Sequence, residues 1–435
     1  MVRKSLTVSS KDNEPTTWSF LGEKSTTNER RESFPLQGGT TALANCKVAN
    51  DDEGRNDMTA KIDIETKVMN SRTLTPQQYM TDLVLRRIEE AGWQSSTLPC
   101  LSDTEVFDTA QAIDISPWLD PEAKATDLDQ VARQVLQAAQ TTGSFRIKGH
   151  EIPHDVLDNL DKETRNFFQK PIAKKLQYKN YLGMEQEDVN LVVQRKIHSD
   201  NTTVRDLRES CFYDVPTPYS FSSQSGLAQA VSDYSEHLER LDCIVHQILT
   251  RALSLLKKVD LPNNYLEYAK GGSAGRLRCN WYPPVPEDRL QAAEREKLRA
   301  HSDLGTCTIL YIPKVAGLEE IRNGVWTPVP PTDPSELHVA LGHLAHLFSN
   351  GAFQPNIHRV TGDNASFRTS YAYFCIGNSN VDAIGPVLDA DGVEKPLFEG
   401  KIVARQYVQS ILDPFLTQTR KLENDASARG ELRED

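Results

Sequence analysis

The sequence predicts an α-rich N-terminal region leading into a mainly β core of the sandwich or jelly-roll type. Three observations carry this expectation. Apolar residues recur at helical spacing in several segments between residues 75 and 258. After residue 275 the texture changes to short β-rich runs cut by Pro and Gly, the pattern of many short strands joined by turns. The length of 435 residues, at about 150 residues per domain, allows two or three units.

Residues 1–74 are rich in Ser, Thr, Asn and charge, with 11 basic and 11 acidic residues and only Trp18, Phe20 and Phe34 as aromatics. Such a stretch buries too little apolar surface to offset its ordering entropy, so it reads as a flexible polar extension. Residues 75–107 read as a helix and linker. Thr75-Pro76 supplies an N-cap and a proline at the first helical position, and Tyr79, Met80, Leu83, Val84 and Ile88 follow at helical spacing up to Gly92. The next region, 108–227, opens with the extended run Ala112–Ile115. A helix through Leu128, Val131, Val135, Leu136 and Ala139, a strand at Phe145–Ile147 and a helix from Val156 to Phe168 follow. Leu238, Leu241, Val245, Ile248, Leu249, Ala252 and Leu256 predict a long helix within 228–262. The β-rich region, 263–403, shows strands at Thr306–Ile312, Trp326–Val329, Leu337–Leu341 and Phe367–Phe374. Residues 404–435 read as a helix around Ala404–Thr417 and a polar tail.

Composition narrows the function classes. A net charge of −12 argues against nucleic-acid and anionic-membrane partners, which need basic patches. No apolar run approaches the roughly 20 residues of a membrane helix. The opening MVRKSLTVSSKDNEP has no apolar core of a secretion signal, and the acidic residues of the extension argue against a mitochondrial transit peptide. Seven scattered cysteines without CxxC spacing suit reduced thiols, so a cytoplasmic protein is expected.

The chemistry begins at His301-Ser302-Asp303. Residues two apart on an extended chain share a face, so an imidazole and a carboxylate converge. The candidate third ligand is His358. Two His and one carboxylate form the facial triad of non-haem Fe(II) oxygenases, with zinc as the competing metal. Arg368 and Ser370, again two apart, put a guanidinium beside a hydroxyl, a pair suited to holding a carboxylate. That clamp, just past a metal-binding His, is what a 2-oxo acid cosubstrate needs, and it favours iron.

At this point the chain resembles the Fe(II)/2-oxoglutarate-dependent dioxygenases of the isopenicillin-N-synthase-like superfamily, over about residues 108–410. The resemblance runs through Ile113–Ile115, Gly143–Ile152, Phe167-Phe168, Arg278–Pro284, His301–Thr306, Gly317-Leu318, Trp326–Val329, Ser349–Gly351, His358–Val360 and Arg368–Ser370. It implies a double-stranded β-helix (jelly roll) core with an α-rich N-terminal region and flanking helices. It implies that His301, Asp303 and His358 bind iron and that Arg368 and Ser370 hold the distal carboxylate of 2-oxoglutarate. Tyr282 and Asn280 match residues that assist this clamp, and Phe374 matches a position facing substrate. Fe(II), 2-oxoglutarate and O₂ are implied, with ascorbate as support. The implied reaction oxidises a small organic molecule, a secondary metabolite by family resemblance, through a ferryl oxidant with succinate and CO₂ as co-products. The rival readings are an iron oxidase of the same fold that does not use 2-oxoglutarate, and a non-catalytic binding protein.

Two features depart from the family pattern. Gly342-His343 stands where Gly-Asp is usual, so His338, His343 and His346 crowd one stretch; their spacing gives no clean ligand face, and they read as core or solvent-facing histidines. The long polar N-terminus is the other. The stretch Asn180–Asn201 reads as a lid, with Arg195 or Arg208 able to pair a substrate anion.

Overall fold

The structure, a computed structural model, describes residues 74–92, 112–171, 174–175, 196–199, 202–205, 208–215, 226–262, 275–284, 297–361, 366–376 and 385–412. Residues 1–73 of the expected extension, most of the expected lid and the end of the C-terminal segment lie outside the described residues.

Helix α1 (Pro76–Ala91) starts where its capping chemistry dictates. Thr75 accepts from Gln78 N while Gln78 accepts from Thr75 N, and Gly92 closes the helix at φ 67°. Strand β1 (Ile113–Asp114) and the 3₁₀ turn Ser116–Trp118 precede α2 (Ala125–Thr141), β2 (Ser144–Lys148) and α3 (His154–Phe168). Strand β3 (Lys196–Ser199), at the end of the expected lid, forms a hairpin with β4 (Thr202–Arg205) just past it, and β5 (Glu209–Val215) follows. The long helix is α4 (Gly226–Lys257), whose periodic residues Leu238, Leu241, Val245, Ile248, Leu249 and Ala252 are all buried. Each such Leu, Ile or Val contributes about 1.5–3 kcal/mol by leaving water.

The β-rich region supplies β6 (Gly275–Tyr282), β7 (Leu298–His301), β8 (Cys307–Tyr311), β9 (Leu318–Arg322), β10 (Val325–Val329), β11 (Glu336–Leu341), the short helix α5 (His343–Phe348), β12 (His358–Val360) and β13 (Arg368–Cys375). A final helix, α6, covers 404–412. The strands form a seven-stranded sheet, β1-β2-β11-β8-β13-β6-β5, and a four-stranded sheet, β10-β9-β12-β7. This is the jelly roll. Three strands of the larger sheet (β1, β2 and β5) come from the region read as the α-rich N-terminal unit, so the sheet crosses the boundaries expected from sequence.

The two faces of the larger sheet differ. Its outer face packs on α3 and α4: Thr369 and Tyr371 donate to Asp161 of α3 at 2.6 and 3.0 Å, and Tyr373 donates to Asp242 of α4 at 3.0 Å. By alternation, Arg368, Ser370, Ala372 and Phe374 turn inward. There Tyr282, Ile312, Leu318, Val329 and Val360 form a core cluster that joins the two sheets. Helix α1 covers the smaller sheet from outside, where Val84 packs with Trp326 and Ile357.

Candidate functional site

His301 ends β7, Asp303 sits in the loop that follows, and His358 opens β12, paired directly with His301 across the smaller sheet. His301 Nε2 lies 3.7 Å from Asp303 Oδ1, and His358 Nε2 lies 3.9 Å from Asp303 Oδ2. One ligand atom from each residue falls within 4.8 Å of the other two. The remaining ring nitrogens are engaged: His301 Nδ1 donates to Arg299 O at 2.7 Å, and His358 Nδ1 donates to Asn356 Oδ1 at 3.1 Å. Both Nε2 atoms therefore keep their lone pairs for a cation. Burial and the charge of His358 push His301 down to about 4, outweighing Asp303, so its ring is neutral near pH 7. Burial acts to raise Asp303, yet the two His and the Thr308 hydroxyl, which donates at 2.6 Å, hold it below its usual value. Two imidazoles and one carboxylate on one small patch fit a divalent first-row metal.

The loop carrying Asp303 is held by α5. His343 N donates to Asp303 O at 2.9 Å and Leu344 N to Gly305 O at 3.1 Å. The approach is close enough that a Cβ on Gly342 would meet Asp303 O at 2.6 Å, so only glycine fits there.

The second group lies on the inner face of β13 and β6. Arg368 pairs in register with Tyr282, and Ser370 with Asn280. Arg368 Nη1 donates to Ser370 Oγ at 3.3 Å, and its guanidinium lies 5.0 Å from the centre of the Tyr282 ring. Asn280 Nδ2 donates to the same Ser370 Oγ at 3.3 Å, and Ser210 of β5 donates to Asn280 Oδ1 at 3.0 Å. Arg368 is 2 % exposed, and among the described residues no carboxylate lies against it. Burial lowers its pKa, offset in part by Tyr282. A cation kept dry without an anion is a site for one.

The other expected residues are placed as follows. Phe374 shares the face of Arg368 and Ser370 and pairs with Thr308, the residue that holds Asp303. Arg195 lies outside the described residues. Arg208 is buried ahead of β5, and its charge acts on His301. The three clustered histidines part company. His338 Nε2 lies 3.5 Å from Glu320 Oε2; His343 Nδ1 bonds the Tyr407 hydroxyl at 3.0 Å; His346 bonds Phe353 O at 2.7 Å and the Tyr79 hydroxyl at 3.2 Å. All are buried within the fold and share no ligand geometry among the described residues.

Some contributors escaped the sequence reading. Asn356 stands two residues before His358, and that spacing was a usable signal. Thr308 meets Asp303 from only five residues away, whereas Ser210 and Glu320 reach the site through sheet pairing. A further convergence, His246 with Cys307 and Cys375, is already closed by hydrogen bonds. His246 Nδ1 bonds Asp242 O at 2.8 Å, its Nε2 bonds Thr306 Oγ1 at 2.7 Å, and the two sulfurs lie 3.5 Å apart.

Comparison with known proteins places the chain among relatives of one kind. The model of the 2OG-Fe(II) oxygenase superfamily matches residues 266–377, and that of the non-haem dioxygenase in morphine synthesis N-terminal region matches 111–233. Gibberellin 3-beta-dioxygenase 4 of Arabidopsis thaliana is 25 % identical over 285 residues, covering 64 % of this chain and 78 % of that relative. 1-Aminocyclopropane-1-carboxylate oxidase 3 of Cucumis melo is 28 % identical over 290 residues, covering 64 % of this chain and 83 % of that relative. Among solved structures, full-length Neurospora crassa T7H in complex with alpha-KG superposes with a TM-score of 0.57 at 20 % identity, over 69 % of this chain and 95 % of that one.

Proposed function

Since the chain belongs to the 2OG-Fe(II) oxygenase superfamily, and is thus a non-haem iron dioxygenase that uses 2-oxoglutarate to oxidise a small molecule, we propose which of its residues carry that chemistry. His301, Asp303 and His358 hold the iron. Arg368 and Ser370 hold the distal carboxylate of 2-oxoglutarate, with Asn280 and Tyr282 fixing the clamp. When bound, iron supplies O₂ activation coupled to decarboxylation of the cosubstrate, with release of succinate and CO₂. The protein's own residues do the rest. Thr308 fixes the Asp303 carboxylate, the buried clamp orients the keto acid toward the metal face, and the apolar cluster around Tyr282 keeps water from the cosubstrate. Phe374, beside Thr308, forms part of the substrate wall, and we assign Arg195 or Arg208 to an anionic group on the substrate. We read the substrate as a secondary metabolite, with hydroxylation, desaturation or ring rearrangement as outcomes of the same first step.

The single observation that carries the assignment is the buried Arg368 guanidinium, beside Ser370, with no carboxylate against it among the described residues. The net charge of −12 supports a protein without nucleic-acid partners. Among the described residues no helix is long and apolar enough to cross a membrane. The described cysteines are free thiols, which supports a cytosolic protein. The test is incubation of the full chain with Fe(II), ascorbate, 2-oxoglutarate and metabolite extracts, following succinate and mass changes. Succinate formed in step with one oxidised metabolite is expected. Stoichiometric oxidation in the absence of 2-oxoglutarate would replace the assignment with an oxidase.

A further inference from the structure

His358 can coordinate a metal only through a bare Nε2, which requires the ring proton on Nδ1. The geometry shows what puts it there. His358 Nδ1 faces Asn356 Oδ1 at 3.1 Å, and an amide oxygen can only accept. The amide could turn over, since its oxygen and nitrogen differ little in shape. Turned over, it would present Nδ2–H to the imidazole, draw the lone pair to Nδ1 and leave the proton on the metal-facing nitrogen. Two acceptors prevent this by holding Nδ2: Glu320 Oε2 at 2.8 Å and, more weakly, Thr142 O at 3.4 Å.

Glu320 is well placed for the task. It pairs in register with His358 across β9 and β12 and is fully buried. Its other oxygen, Oε1, is taken by Arg322 Nε at 2.5 Å, and His338 Nε2 lies 3.5 Å from Oε2. The carboxylate thus serves Arg322 through Oε1 and Asn356 through Oε2, with His338 and Ser144 also bonding to it.

We propose that Glu320 is a positioning residue for the metal centre: its carboxylate fixes the amide of Asn356, and that amide fixes His358 as the Nδ1–H tautomer ready to coordinate. The proposal rests on the reading that His358 is a metal ligand, and it explains the buried acid and the otherwise unassigned His338 as one support.

The test has a readout that does not depend on turnover. In the metal-free full chain at neutral pH, ¹⁵N shifts of the labelled histidine rings report the tautomer of each, with His358 identified by its loss in His358→Ala. Wild type should show His358 as Nδ1–H. Glu320→Gln offers one acceptor to two donors, so the His358 signal should move toward the Nε2–H form. Calorimetric Fe(II) affinity should fall about 10- to 100-fold. If Glu320→Gln folds poorly, Asn356→Ala keeps Glu320 with Arg322 and His338 and should give the same loss of affinity. The double variant should then lose no more than Asn356→Ala alone, because both act through one amide. An unchanged tautomer in Glu320→Gln, with Fe(II) affinity within about twofold of wild type, would overturn the proposal. Retention of Fe(II) binding by His358→Ala would instead overturn the ligand assignment on which it rests.

Discussion

Replacing Arg368 with methionine removes a guanidinium that is 2 % exposed and bonded to Ser370 at 3.3 Å, while keeping much of its volume. With the cosubstrate bound, the change deletes a charge-assisted contact and leaves a carboxylate poorly paired. Such a loss costs about 1.5–3 kcal/mol, or roughly 10- to 150-fold in apparent affinity. The apparent KM for 2-oxoglutarate should rise by that factor, read from initial rates of succinate formation, while Fe(II) affinity stays near wild type. Lysine should restore only part of it, because an ammonium keeps the charge without the planar fork. Thermal unfolding adds an independent sign. Without 2-oxoglutarate, Arg368→Met removes a buried charge that no carboxylate in the described residues compensates, so Tm should hold or rise. Adding 2-oxoglutarate at about 100 times Kd should stabilise wild type by roughly 2.7 kcal/mol and the variant hardly at all. A variant that unfolds earlier yet keeps its KM would refute the reasoning and make Arg368 a structural residue.

Three further predictions bear on other parts of the molecule. Asp161 ties α3 to β13 through Thr369 and Tyr371 and pairs with Arg165 of its own helix, so Asp161→Ala removes the acceptor of two buried hydroxyls at about 1–3 kcal/mol each. Calorimetry should find Tm lower by several degrees, and an unchanged Tm would remove this tie from the account. Burial works to lower His246, but Asp242 outweighs it and raises the pKa from 6.5 to about 10. A raised folded-state pKa contributes stability that is present below the unfolded value and lost as pH climbs through the folded one. Urea unfolding should therefore show stability declining from near pH 7 toward 10, and His246→Gln should flatten that slope. Finally, removal of residues 1–74, read as a polar extension, should leave Fe(II) binding and turnover unchanged; protection of that segment from hydrogen exchange would contradict this.

What the sequence disclosed followed from locality. His301 and Asp303, and likewise Arg368 and Ser370, are two apart on extended chain, so alternation alone aligns each pair. The capping box at Thr75 and the stripe of α4 were legible for the same reason. Contacts made by sheet pairing were hidden. Ser210 reaches Asn280 from 70 residues away, and Glu320 meets Asn356 across 36 residues. Strand β5 was missed because its run Glu209-Ser210-Cys211-Phe212-Tyr213-Asp214 mixes acidic and polar residues into a strand of the main sheet, with Glu209 neutralised by Lys175. The crowding of His338, His343 and His346 in sequence suggested one location. The turn from β11 into α5 separates His338 from the other two, and each of the three meets a different partner.

The central claim is that one metal, held by His301, Asp303 and His358, and one carboxylate clamp, built on Arg368, together bind the cosubstrate. Anaerobic calorimetric titration of 2-oxoglutarate into the Fe(II)-loaded chain tests this most directly. The account predicts a single site per chain in wild type, lost in His358→Ala because the metal is lost, and weakened about 10- to 150-fold in Arg368→Met with the metal still bound. Equal binding of 2-oxoglutarate by all three proteins would contradict it.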